Sequence, residues 1–446
     1  MAPCYRRSRS TESWHLQVNP SSFIDIGQLR VGMFVHLDVG WLRHPFPVSS
    51  FRIASLDQIE ILRSLGLERV RYESEKSDTP PEADVDAEVV LDAAAALPPV
   101  LLTENLPATP LEMPLDRRLA AQQRRLVDCD QRFLLAADQY RSVVQTARKD
   151  VASARMASEI LVLDCVDDLQ CNGESVIRLL SEGVGERATM HPINVMVLSL
   201  LLGRAQGLSV PELQELGVAA LLHDLGKLRL PAQLSQPAPH KTGSEWVGYH
   251  DHVGESVALA ENMGLSSAVL IAIAQHHEMA DGTGFPLGLL GSDLSPAGRI
   301  LALVNHYDGL CNPVNYTDAL TPHEALALLF SKLKAQFDGA TLNAFIRMMG
   351  VYPPGSVVQL VNGLYGLVVS VNSARPLRPK VIVHDPDMPQ EQAHILDLDI
   401  LPALGIRRSL KPSQLPRAAL DYLSPRQRIC YFFERAVGLP RHEAPL

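Results

Sequence analysis

The spacing of apolar residues along this chain divides it into regions of different period. Residues 29–37 have strand character, with Gly32 marking a bulge or bend. Residues 55–66 read as a capped helix: Ser55 at the N-cap, apolar residues at helical spacing, Gly66 at the end. Residues 70–72 return as a strand, so 21–75 is predicted to be a small α+β unit. Within it His44-Pro45-Phe46-Pro47 must be loop or edge, and Trp41, Phe46 and Phe51 are either a ligand surface or the core of that unit. From 115 to 180 long helical patterns run almost free of glycine and proline. Leu119, Leu126, Phe133 and Leu134 are heptad-like, which fits a bundle helix or a coiled-coil homodimer. Helical segments and loops alternate over 184–345. Near Tyr352 the period switches to two: 357–360 and 367–371 flank Asn362-Gly363, and 381–383 follows as a third strand. The pattern over 416–437 is helical again.

The chain therefore reads as mainly α. A helical domain with its leading helices covers 115–349, a small β appendage 350–400, and a helical tail 401–446. Residues 1–20 are polar and expected to be disordered; 76–114, rich in proline, alanine and acids, form a linker. There is no internal repeat.

Composition narrows the class. Of 446 residues, 46% are hydrophobic and 20% charged, which is globular and enough for a substantial core. The net charge of −10 comes with no basic run or basic-aromatic stripe, which argues against DNA or RNA as a partner. A small anion can still bind at a local cationic or metal site. The cysteines Cys4, Cys129, Cys165, Cys171, Cys311 and Cys430 are scattered, as reduced thiols of a cytoplasmic protein would be. No apolar run reaches the ~18 residues of a membrane span, and the basic start lacks the apolar core of a secretory signal.

The candidate chemistry lies in the helical region. His191, His223-Asp224, His250 and His276-His277 recur at one helix-and-connection apart, the spacing at which a bundle builds a metal site from facing helices. Neutral imidazole and carboxylate are ligands for divalent ions such as Zn, Mn and Fe. Adjacent histidines on a helix point about 100° apart, so His276 and His277 serve one ion only at a bent terminus, or address neighbouring ions; Gly282 and Gly284 supply a break. Asp224 can bridge two ions, and an ion pair suits phosphodiester hydrolysis by generating hydroxide and neutralising the transition state. Lys227, about one helical turn beyond Asp224, can contact a phosphate oxygen or the leaving group. His240, His252, His306 and His323 have no place in this pattern and are expected to be structural.

Together His191, the run His223-Asp224-Leu225-Gly226-Lys227, His250 with Gly254, and His276-His277-Glu278 through Asp281-Gly282-Thr283-Gly284-Phe285-Pro286 resemble the HD-GYP domain, a branch of the HD phosphohydrolases, over roughly 180–345. Gly32-Met33-Phe34-Val35, Trp41 and His44-Pro45-Phe46 resemble the DUF3391 type of domain that precedes it. The resemblance implies an HD-type helical bundle with a multinuclear centre of iron or manganese, and hydrolysis of cyclic di-GMP to pGpG or GMP in bacterial signalling, with signalling proteins as further partners. It implies His191, His223, Asp224, His250, His276, His277 and Asn305 at two divalent ions, Asp224 and Lys227 in catalysis, and Lys227, Gly284, Phe285, Pro286 and Arg299 against the substrate.

The chain departs from the family pattern at four places. Phe285 stands where the family has tyrosine, keeping the ring and losing a hydroxyl. Asn305 stands for a metal-ligating aspartate, so it is expected to be a neutral or absent ligand. Asn312-Pro313-Val314-Asn315-Tyr316-Thr317 lacks the two cations the family offers to the dinucleotide. Arg187 stands for the glutamate of trinuclear members, which favours two ions. Asn305 and the lost cations also fit an impaired module that binds the nucleotide as a receptor.

Overall fold

The structure is a computed structural model that describes residues 22–37, 50–64, 67–77, 115–170, 176–181, 187–231, 233–235, 243–372, 375–393, 395–401 and 404–434. The tail at 1–20, nearly all of the linker at 76–114, and Trp41, His44, Pro45 and Phe46 lie outside the described residues. The chain forms two compact units.

The first holds β1 (Ser22–Asp25), β2 (Phe34–His36), β3 (Ser50–Arg52), α1 (Leu56–Ser64) and β4 (Arg69–Glu73). The strands form an antiparallel sheet in the order β1-β4-β2-β3. Ile24, Val35, Val70 and Tyr72 from the strands and Ile59 and Leu62 from α1 are buried. Ser55 caps α1 as the sequence predicts, its hydroxyl accepting from the Gln58 amide at 3.4 Å.

The second unit begins with a helical pair, α2 (Leu115–Thr146) and α3 (Val151–Gln170), then a strand β5 (Val176–Leu179). Five helices follow: α4 (Arg187–Ala205), α5 (Val210–Leu222), α6 (Gly243–Asn262), α7 (Ser267–Ala274) and α8 (Pro296–Cys311). α9 (Pro322–Ser331) and α10 (Gly339–Met349) close the bundle. From Leu216 to Leu222 every residue of α5 is buried, so that half of the helix runs through the interior. Its start is fixed by a capping box in which the Ser209 amide donates to the Glu212 carboxylate at 2.8 Å. Among the described residues no helix is long and apolar enough to cross a membrane.

The C-terminal part corrects the sequence reading in two respects. β6 (Val357–Leu360), β7 (Tyr365–Asn372) and β8 (Lys380–Val383) form where expected, with the Gly363 turn between the first two. They are joined by β9 (Ile395–Asp397) and β10 (Ile406–Leu410), and the tail is not a helix. It has the short helix α11 (Arg417–Leu423) and then a strand, β11 (Tyr431–Glu434). The sheet also reaches beyond residues 350–400. Its order β10-β6-β7-β5-β11 places β5, from ahead of the bundle helices, between β7 and β11. Alternation explains why: Val357 and Leu367 face the core shared with the helices, while Val358 and Val368 face a second core with Val381 and Leu398. A sheet buried on both faces reads as an apolar run that local periodicity cannot assign to a partner.

This predicts the outcome of a truncation. Tyr431, Phe432 and Phe433 are 0%, 2% and 1% exposed. Losing a buried aromatic costs about 3–5 kcal/mol, against a typical domain stability of about 5–15 kcal/mol. A chain ending at Leu423 should lose cooperative thermal unfolding of the bundle, followed by circular dichroism; a dispensable appendage would leave the bundle transition in place.

Candidate metal centre

The centre is built where helices end. α5 stops at His223, and Asp224 leaves the helix with φ −100° and ψ 4° before a short 3-10 turn over residues 225–229. That break lets two adjacent side chains converge on one point. α7 ends at Gln275, so His276 and His277 also leave their helix together. His191 comes from α4 and His252 from α6.

Gly226 sets the distance between the Asp224 turn and α6. A Cβ there would lie 2.2 Å from the His252 carbonyl oxygen and 2.4 Å from the Ser256 nitrogen, so only glycine permits this backbone approach. The Gly226 amide donates to the Ser256 hydroxyl at 2.8 Å and locks it.

The ligand-capable atoms fall into two groups that share Asp224. One is Asp224, His252, His276 and His277; the other is His191, His223 and Asp224, each with its atoms within 4.8 Å of one another. The aspartate divides between them. Its Oδ1 lies 3.5 Å from His252 Nε2 and 3.8 Å from His276 Nε2, and its Oδ2 lies 3.5 Å from both His191 Nε2 and His223 Nε2.

Hydrogen bonding fixes the imidazoles for this role. The Nδ1–H groups of His223, His252 and His276 donate to the carbonyls of Ala220, Tyr249 and Ile273 at 2.7, 2.5 and 2.6 Å. His191 donates its Nδ1–H to the Asp308 carboxylate at 2.6 Å. A carbonyl can only accept, so Nε2 is left with its lone pair facing the cluster. The Nε2 atoms of His252 and His276 are 3.3 Å apart. Burial pushes His252 down to about 4 and His276 and His277 well below the ordinary imidazole range, so no proton sits between them at neutral pH. Two facing lone pairs beside a carboxylate repel unless a cation lies among them. Asp224 Oδ1 and His277 Nε2 are buried without a hydrogen-bond partner, which the same cation would satisfy. The donor set therefore fits a divalent metal.

The remaining charges support this reading. Burial resists charging Asp224, yet Lys227, His223 and His191 outweigh it and hold the carboxyl well below its usual range. Burial likewise opposes charge on His191, but the Asp224 and Asp308 carboxylates lift it to about 9. A metal ion at this group thus competes with a proton on His191. Lys227 Nζ donates to Asp224 Oδ2 at 2.5 Å and lies 5.5 Å from the Tyr249 ring centre.

The structure brings together His191, His223, Asp224, His276 and His277 as expected, with Lys227 on Asp224. It corrects the choice on α6. His252, expected to be structural, enters the cluster; His250 does not. Helical phase is the reason: His252 shares the buried face of α6 with Tyr249, Val253 and Ser256, whereas His250 sits beside exposed Asp251 and Gly254. His250 instead stacks on Phe285 with centroids 3.7 Å apart, and Phe285 stacks on His277 at 4.4 Å. The phenyl ring braces His277 rather than offering a free face. Gly284 admits no side chain, since a Cβ would lie 2.2 Å from the Met279 nitrogen. The buried Glu278 carboxylate accepts the Leu287 and Leu289 amides at 2.7 and 2.9 Å and holds the turn, with Pro286 exposed on it. Asn305 is buried at the edge of the cluster and donates its amide to the His276 carbonyl at 3.3 Å. Arg299 donates to the Gly291 carbonyl at 2.8 Å and pairs with Asp338 at 3.8 Å, a structural use of its guanidinium. Sequence reasoning missed His252, Glu278 and the place of Asp308 behind His191; the apolar phase of α6 was the available signal for the first.

The exchange on α6 is testable by metal content after dialysis against Mn²⁺. His252→Ala should retain less Mn²⁺ than wild type, and His250→Ala the same amount. Equal loss in both variants would return His250 to the ligand set.

The chain is similar to known proteins over much of its length. Residues 174–341 match the HD domain family and residues 22–160 match the domain of unknown function DUF3391. A cyclic di-GMP phosphodiesterase of Pseudomonas aeruginosa is 28% identical over 371 residues, covering 81% of this chain and 84% of that protein. The cyclic di-GMP phosphodiesterase PdeB of Borreliella burgdorferi is 24% identical over 43% of this chain and 51% of its own length. The cyclic di-GMP phosphodiesterase response regulator RpfG of Xanthomonas campestris is 32% identical over 33% of this chain and 39% of its own. This chain thus spans less than two thirds of the last two. The paired histidine groups around Asp224 and the Gly284-Phe285-Pro286 turn thus lie in an HD domain with a DUF3391 domain ahead of it, a combination consistent with the HD-GYP family.

Proposed function

We propose that the protein is a metal-dependent phosphodiesterase that hydrolyses cyclic di-GMP to pGpG or GMP in the cytoplasm of a bacterium, using two divalent ions, iron or manganese. The observation that carries this reading is the shared carboxylate: Asp224 turns one oxygen to each of two groups of imidazole nitrogens. His191, His223 and Asp224 would hold one ion, and Asp224, His252, His276 and His277 the other. Imidazole with carboxylate suits iron and manganese. Such ions activate water at neutral pH and neutralise charge on a phosphoryl group.

The chain's own residues supply the rest. Asp224 holds the two groups in register. Asp308 keeps the His191 lone pair turned inward. Phe285 fixes the His277 ring from the open side. Lys227 is charged and partly exposed, and from Asp224 its ammonium can turn to an incoming phosphate oxygen, where it would offset negative charge as the P–O bond opens. Water's oxygen ends on phosphorus and the departing ribose oxygen takes a proton. A preorganised cation in this role is worth a few kcal/mol, roughly 10²–10³ in rate.

A second reading, a receptor that binds cyclic di-GMP without cleaving it, draws support from Asn305, whose neutral amide donates to the His276 backbone instead of bringing negative charge.

Two measurements decide between them. With Mn²⁺ or Fe²⁺ supplied, wild type should cleave cyclic di-GMP, seen by chromatography of the products. Lys227→Ala should keep its metal and lose activity by roughly 10²–10³, whereas Asp224→Ala should lose metal and activity together. Metal-loaded wild type that binds the nucleotide without turnover would establish the receptor reading. The second measurement concerns Asn305→Asp, which should raise metal occupancy and turnover; a variant that holds no more metal than wild type would place residue 305 outside the ligand set.

A further inference from the structure

Behind His191 lies a closed set of hydrogen bonds that ends on the C-terminal strand. Asp308 is fully buried and takes the His191 Nδ1–H on Oδ2 at 2.6 Å. Its Oδ1 accepts one amide hydrogen from Asn194 at 2.8 Å and one from Asn312 at 2.9 Å. The second amide hydrogen of each asparagine goes to the Ile429 carbonyl, in both cases at 2.8 Å. In return the Asn194 side-chain oxygen accepts the Tyr431 amide at 2.9 Å, and that of Asn312 accepts the Ile429 amide at 2.8 Å. Neither asparagine can flip: rotation would set NH₂ against a backbone N–H, and oxygen against a carboxylate and a carbonyl. With both asparagines donating, position 308 must present an acceptor to them.

We propose that the C-terminal strand, with the residues that lead into it, is a working part of the metal centre: the backbone at Ile429, just ahead of β11, and at Tyr431, its first residue, locks Asn194 and Asn312, which orient Asp308 and thereby hold His191 as an Nε2 ligand. Asn194, Asn312 and Asp308 are positioning residues. The inference rests on His191 being a metal ligand, and it goes further by assigning ligand control to a strand far along the chain from the helices that carry the ligands.

The chemistry makes a specific demand. In Asp308→Asn the amide donors of Asn194 and Asn312 still require an acceptor, so the new side-chain oxygen faces them and its NH₂ faces His191. His191 Nδ1 must then accept, and its proton moves to Nε2, the atom that should bind metal. An isosteric change thus blocks the ligand through its tautomer.

The test uses the full-length protein, with Mn²⁺ affinity by calorimetry and thermal unfolding of the metal-free protein side by side. Asn194→Ala and Asn312→Ala should weaken Mn²⁺ binding about 10–100-fold, the usual cost of losing an outer partner of a metal ligand. Asp308→Asn should weaken it at least as much, with nitrogen NMR of the metal-free variant showing His191 protonated on Nε2 and without a proton on Nδ1. Tyr307→Phe is the control for strand stability alone. It removes the 3.0 Å hydroxyl contact with Tyr431 on the same strand without touching Asp308, so it should lower the melting temperature and leave Mn²⁺ affinity unchanged. Should the alanine variants fail to fold, Asp308→Asn carries the test. Wild-type Mn²⁺ affinity in Asp308→Asn, or His191 still protonated on Nδ1, would overturn the proposal; so would equal losses of affinity in Tyr307→Phe and the asparagine variants. Wild type that binds no Mn²⁺ would overturn the metal reading itself and this inference with it.

Discussion

Each imidazole lone pair that meets Asp224 is there because the opposite ring nitrogen has given its hydrogen to a fixed acceptor. For His223, His252 and His276 that acceptor is a carbonyl three residues earlier in the chain; for His191 it is the Asp308 carboxylate. The arrangement costs free energy without a cation, since it buries a carboxylate among electron pairs and leaves Asp224 Oδ1 and His277 Nε2 unpartnered. That unfavourable balance is the physical content of a metal site: the fold holds in place a set of donors that only a positive charge can reconcile. Lys227 at 2.5 Å from Asp224 supplies part of that charge.

Holding the donors requires a scaffold that does not yield, and the structure uses backbone for it. Gly226 lets the Asp224 turn lie directly on α6, and Gly284 lets the turn after His277 lie directly on Glu278 and Met279. Both contacts are too close for any side chain to mediate, so the separations they set cannot relax by a rotamer change. Phe285 then fills the gap between His250 and His277 by stacking on both. The aromatic ring of the turn is thereby used up in support, a role that phenylalanine fills with its ring faces alone.

What could be read from the sequence follows from which interactions are local. The His223-Asp224 pair, His276-His277 and Lys227 are close in sequence and stand at helix ends marked by glycine or by a break in the apolar pattern, so their convergence was legible. The α1 cap and the strands around Gly363 were legible for the same reason. The choice between His250 and His252 depends on the phase of one helix, and motif spacing chose against the apolar face; Tyr249, Val253 and Ser256 would have decided it. β5 and β11 were beyond reach because each is a short apolar run whose partner lies far off in sequence, as in the pairing of Ile177 with Phe433. Asp308 became intelligible only with its partners present, since the asparagines that donate to it, Asn194 and Asn312, are themselves fixed by the backbone carbonyl of Ile429.

The chemistry at position 305 then acquires a second meaning. In the described cluster Asp224 is the one carboxylate, and the imidazoles of His252, His276 and His277 are neutral near pH 7 because burial holds them so. A divalent ion on such a donor set stays net positive, more so with an amide at 305 than with a carboxylate. An asparagine at 305, were it to reach a bound ion, would act in two directions: it would weaken the hold on metal and strengthen the pull that the metal exerts on an anionic phosphate. Along 312–317, where this chain has no cationic side chain, that second effect would offset part of the loss. The same substitution would thus count against metal binding and favour capture of an anion, and which effect prevails would depend on how firmly the His191 group keeps its ion against the proton that Asp224 and Asp308 hold there at pH values below about 9.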